Sequence, residues 1–115
     1  MRITLDGLPP SKKNSKRVFK AGKKTVVLPS VKHEQWHNMN MLKLSGNIKP
    51  ISHKNVGIVF SRASKIRRDL DNMASSVLDL LVDAGVLEDD SMDYVESLRL
   101  SWKWASAEQT EIIIS

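Results

Sequence analysis

Residues 69–84 carry Met73, Val77, Leu80, Leu81 and Ala84 at helical spacing, and Gly85 follows as a C-terminal stop. A segment of that kind must lay one face on something apolar. Its neighbours in sequence supply the surface. Before it, Val56, Ile58 and Phe60 recur at period two within residues 55–61. After it, Leu98, Leu100, Trp102 and Trp104 alternate with Arg99, Ser101 and Lys103. One amphipathic helix between two alternating strands predicts helices packed on a sheet.

The remaining elements extend that pattern. Residues 1–5 read as a strand, closed by Asp6-Gly7 and Pro9-Pro10. Residues 11–16 are polar and basic and read as a loop. Residues 17–20 and 25–28 are β-prone runs around a glycine, which predicts a hairpin. Ser30 is a candidate cap for a helix over residues 31–44. Residues 45–52 read as a loop, and residues 110–115, with three consecutive isoleucines, as a last strand. The expected order is βββ-α-β-α-ββ, an α/β fold with a mixed sheet packed by two main helices. With 115 residues, 41% of them apolar, the expectation is one domain over residues 1–115.

There are no cysteines, which excludes thiolate catalysis, disulfide scaffolds and cysteine-ligated metal centres. No apolar run approaches the roughly 18 residues of a membrane span. The opening MRITLDGLPP lacks the apolar core of a secretory signal. A soluble intracellular protein without membrane partners is expected.

Charge divides the chain. Residues 1–68 hold 16 Lys/Arg against two acids, a net of +14; residues 69–115 hold two Lys/Arg against 11 acids, a net of −9. A basic half beside an acidic locus points to a polyanion, with nucleic acid foremost because neutralised phosphates release counterions. The plain alternative is a solvated basic face.

The acidic locus has two parts. Asp69 and Asp71 stand in IRRDLDN at the start of the best helix; Asp89 and Asp90 follow its end. Such a helix is roughly 20 Å long, so the groups converge only if a loop reaches back or two subunits meet. Carboxylates are hard ligands suited to Mg²⁺ or Mn²⁺. Acids at a helix N-terminus are also favoured by the helix dipole alone. Lys65, Arg67 and Arg68 abut the pair, and cations that hold a phosphodiester beside a metal that cleaves it make a nuclease-like arrangement.

His33-Glu34-Gln35-Trp36-His37 matches HExxH, the zinc-peptidase signature. Asn40 and Lys43 occupy the places of the glycine and third histidine in its extended form, and His53 lies in a loop. Surface histidines on an amphipathic helix are expected instead. The basic stretch with Lys12, Lys13, Lys16 and Arg17 suits phosphate contacts, and Phe19 within it is either a stacking aromatic or a core strand residue. Trp36, Trp102 and Trp104 are expected in the core. No Walker loop, GxGxxG or GxSxG occurs.

Residues 66–94, IRRDLDNMASSVLDLLVDAGVLEDDSMDY, resemble the core of the RusA-like Holliday-junction resolvases, small endonucleases of phage and prophage origin. The shared features are an arginine-flanked DLDN, an amphipathic helix ending in AG, and a later DD pair with a DY-like strand start. PPSKKN near the N-terminus resembles the family's entry into its first loop. The resemblance covers about a third of the chain. It implies Mg²⁺ held by Asp69, Asp71 and Asp90, which would be catalytic. It also implies a homodimer that nicks opposed strands of a four-way DNA junction in recombination and repair, in the cytoplasm of a bacterial host. The chain departs from the family in one place. The lysine common one turn after DLDN is replaced by Ser75, so either Lys65, Arg67 or Arg68 would supply its charge, or turnover would be weakened. Two other readings are a non-catalytic DNA-binding phage protein with a decayed site, and the zinc peptidase.

Overall fold

In a computed structural model, residues 1–10, 31–44 and 54–115 are described with their side chains, and residues 17–21 and 24–28 by their backbone. The strands are β1 (Arg2–Asp6), β2 (Arg17–Ala21), β3 (Lys24–Leu28), β4 (Lys54–Arg62), β5 (Val95–Trp104) and β6 (Gln109–Ile114). The helices are α1 (Val31–Leu44), between β3 and β4, and α2 (Leu70–Asp83), between β4 and β5. The α/β class and the mixed sheet match the expectation. The first three strands, however, do not share one sheet. β2 and β3 pair as a separate antiparallel ribbon, while the main sheet has the order β1-β6-β4-β5.

β6 is antiparallel to both β1 and β4. β4 and β5 are parallel neighbours joined through α2, as parallel strands require a long crossover. Alternation puts Val56, Ile58 and Phe60 of β4 on the same face as Ile112 and Ile114 of β6 and Leu5 of β1. All six are buried, and Met73, Val77, Leu80 and Leu81 of α2 pack over them. Each fully buried side chain of this size contributes roughly 1.5–3 kcal/mol, so this layer dominates the stability of the fold.

α2 ends where the apolar spacing ends. Gly85 adopts φ 78°, a left-handed conformation that disfavours other residues. The chain then turns so that the Val86 N–H donates to the Leu81 carbonyl at 2.9 Å, satisfying a carbonyl the helix leaves open. α1 is tied to β1 by the buried Asn40, whose Oδ1 accepts from the Asp6 N–H at 3.2 Å and whose amide donates to the Trp36 carbonyl at 2.9 Å.

Two expectations need correction. Trp36 is buried, but Trp102 and Trp104 are 47% and 55% exposed. They do face the helix-covered side, since Trp102 is registered with Phe60 and Trp104 with Arg62. β5 is the edge strand, however, and the helices do not cover its far end. His33, expected at the surface, is buried as well.

Candidate functional site

In an open sheet, ligands gather beyond the carboxyl ends of parallel strands, where connecting loops converge. Here that region lies past Arg62 of β4 and Trp104 of β5, the last residues of the two parallel strands. Arg62 organises it. Its Nε donates to the Ser64 carbonyl at 2.9 Å and its Nη2 to the Ile66 carbonyl at 3.1 Å. Two hydrogen bonds from one guanidinium thus hold the turn that leads into IRRDLDN. The same guanidinium lies 5.1 Å from the ring centre of Trp102 and 4.7 Å from that of Trp104, a cation–π geometry. The two indoles meet edge to face at 5.6 Å.

Asp69 and Asp71 are brought to this end of the molecule. Asp69 is the N-cap of α2 with extended backbone (φ −86°, ψ 126°), yet its carboxylate makes no capping hydrogen bond. A helix-capping role therefore does not account for that side chain. Arg67 Nε stands 3.5 Å from Asp69 Oδ1, and the Arg67 side chain is 90% exposed, so this pair is worth at most about 1 kcal/mol. Asp71 Oδ1 accepts from the Asn72 N–H at 2.8 Å. Both aspartates are exposed and flank Leu70. Two accessible hard carboxylates suit Mg²⁺, which completes its shell with water and substrate phosphate.

The other predicted cations divide. Lys65 and Arg67 are exposed. Arg68 turns inward, 3.6 Å from Glu108 Oε1. Lys12, Lys13 and Lys16 lie outside the described residues, as do the proposed cap Ser30 and His53. Arg17 begins β2, and only its backbone is described.

Asp90 does not join Asp69 and Asp71 within a protomer. With Asp89 it rims a cleft of about 470 Å³ beside Asp79 and Asp83 of α2 and His33 and His37 of α1. α2 has 14 residues, which separates its ends by about 21 Å. Among the described residues, no group of three or more His, Asp or Glu is positioned to hold a metal ion.

The HExxH histidines serve packing and pairing. The Ser76 hydroxyl oxygen lies 3.3 Å from the Asn72 carbonyl and 3.0 Å from His33 Nε2, within hydrogen-bond reach of both. His37 Nε2 pairs with Asp83 Oδ2 at 3.0 Å. Both Nε2 nitrogens face protein oxygens.

Near β5, the Tyr94 hydroxyl is held above its ordinary pKa, chiefly by the charge of Glu88 and its hydrogen bond, with Asp89 and Asp93 adding. Sequence reasoning missed the Arg62–Trp102–Trp104 cluster. The alternation of β5 names the face but not how far the helices reach.

No protein-family model matches the chain, and no curated protein matches it. No helix among the described residues is long and apolar enough to cross a membrane.

Proposed function

We propose that this protein is a Mg²⁺-dependent, structure-selective DNA endonuclease of the RusA-like kind, which resolves four-way junctions by paired nicks. The observation that carries the reading is the Asp69 carboxylate. It caps nothing, and it stands with Asp71 among Lys65, Arg67 and Arg68 beyond the carboxyl ends of parallel strands. Asp69 and Asp71 would hold Mg²⁺, or Mn²⁺ in its place. A bound ion of this kind makes an attached water more acidic and polarises the scissile phosphate. Arg67 and Lys65 carry exposed positive charge beside the carboxylates and stabilise charge that develops on the phosphate. Cleavage leaves 3′-hydroxyl and 5′-phosphate ends.

Asp90 enters the same reading only through a second protomer, because it belongs to the cleft that Asp89 and Asp83 rim. A homodimer also has the two-fold symmetry of the junction. The separation of Asp90, together with Ser75 in place of a lysine, favours the non-catalytic junction binder as the second reading.

Cleavage of a synthetic four-way junction in Mg²⁺, compared with EDTA, tests the proposal. Metal-dependent nicking that is lost in Asp71→Asn, with junction binding retained, supports the nuclease. Binding without nicking under all divalent ions leaves the non-catalytic protein.

A further inference from the structure

A second cavity of about 220 Å³ opens beside the candidate site. Leu8, Phe60, Leu70 and Met73 make it apolar, and Trp102 forms its aromatic wall. Its volume is below the roughly 300–1,000 Å³ of pockets for drug-sized ligands. The polar side chains lining it, among the described residues, are the two guanidiniums of Arg62 and Arg68. A guanidinium donates hydrogen bonds and accepts none.

Leu70 sets the position of this cavity. It follows Asp69 and precedes Asp71, and its side chain is a wall of the cavity while both aspartates remain exposed. Whatever fills the space therefore touches the residue that stands between the two aspartates in sequence. Trp102 is 47% exposed, and the Arg62 guanidinium lies 5.1 Å from its ring centre, so the cavity presents a partly open π-surface beside a cation.

We infer that this cavity receives one unstacked nucleobase of a DNA strand, stacked on Trp102, with its own phosphate directed to the Asp69–Asp71 rim. The inference rests on the nuclease reading for the role of that phosphate. The pocket itself rests on its shape and chemistry. A planar aromatic solute matches an apolar slot with one aromatic wall. Positive charge from Arg62 and Arg68 in the slot, with the exposed Lys65 and Arg67 in the segment between them, complements the phosphate that any nucleotide carries. Because the lining guanidiniums only donate, the pocket favours bases that present a keto oxygen (thymine, guanine and cytosine) over adenine, which has none. Four-way junctions offer such bases at the branch point, where extrusion costs less than from an intact stack.

The test uses 5-iododeoxyuridine at one position, in a short single-stranded oligonucleotide and at the branch point of a junction. The full chain is irradiated with each in EDTA, and the cross-linked peptide is mapped. The expected adduct lies on Trp102 in both. Trp102→Ala should weaken single-strand and junction binding about tenfold, within the range for loss of one stacked base, and leave duplex binding unchanged. Trp102→Phe should restore most of it, and thermal melts of both variants check folding. Adducts confined to other residues, or equal weakening on duplex, overturn the inference. Mg²⁺-dependent cleavage is scored separately. A protein that cleaves but binds independently of Trp102 loses the pocket and keeps the nuclease. One that never cleaves but binds single strands through Trp102 keeps the pocket and loses the nuclease.

Discussion

His33 and Ser76 meet at 3.0 Å across the contact between α1 and α2, 43 residues apart in sequence. Both are buried, so the contact between them is largely shielded from water. Ser76→Ala leaves the His33 nitrogen facing a methyl group. We expect a loss of about 1–3 kcal/mol, the cost of an unsatisfied buried polar group. His37→Ala should cost less than about 1 kcal/mol, because its partner Asp83 is exposed. Urea unfolding of the two variants measures the difference, and equal losses would contradict the packing role of His33.

If Asp90 serves the same site as Asp69 and Asp71, the proposed dimer is what joins them, and mixing variants tests this directly. A heterodimer of Asp71→Asn and Asp90→Asn protomers retains one complete site if Asp90 works in trans, and none if it works in cis. The expected outcome is that each variant alone fails to cut, while the refolded mixture nicks one strand of the junction. A mixture as inactive as its components, with heterodimers demonstrated, excludes the trans arrangement.

Salt provides a measure of the basic surface. Log affinity for junctions should fall linearly with log salt, and each phosphate contact removed should reduce the slope by about 0.9. Arg67→Ala and Lys65→Ala should each flatten the slope by about one contact. Lys12, Lys13 and Lys16 replaced together by alanine should flatten it further and weaken all DNA forms similarly. Fluorescence anisotropy over a salt series reads both effects. A flat response in the unmodified chain would remove the case for a phosphate-binding face.

Tyr94 is the sole tyrosine, which makes its titration readable by phenolate absorbance. Glu88 is the main cause of its raised pKa. Glu88→Gln should move the midpoint down toward the ordinary tyrosine value. The sign for stability follows from linkage. The folded state holds the phenolic proton more tightly, so this contribution is complete below the unfolded pKa and is lost as pH rises through the folded one. An unchanged midpoint in Glu88→Gln would assign the shift to other groups.

The helices and the main strands were legible because their signals are local. Val77, Leu80 and Leu81 repeat at the helical period, and Gly85 ends the run where α2 ends. The same local rule failed at Trp102 and Trp104. Alternation tells which side of β5 a residue faces, but edge position depends on pairing with β4, roughly 40 residues earlier in the chain. His33 misled for a related reason. HExxH describes five consecutive residues, whereas burial of His33 comes from Ser76 on another helix. Helix length set Asp69 and Asp90 at opposite ends of α2 but left open whether the following loop folds back; the structure instead places Asp90 in the cleft with Asp79, Asp83 and the α1 histidines.

The sheet's strand order also dictates when it can form. β6 lies between β1 and β4, so β1 has no partner in the main sheet until β6 exists. Arg2 and Glu111, joined by a salt bridge across that pairing, are separated by 109 positions. During synthesis the parallel unit β4–α2–β5 emerges from the ribosome before the strand that links it to β1. The first strand must wait with its backbone bonded to water, and the step that admits β6 closes the largest loop in the fold. Such long-range closure slows folding. Weakening β6, for example by Ile112→Ala, should therefore lengthen the interval in which β1 and β4 expose unpaired edges.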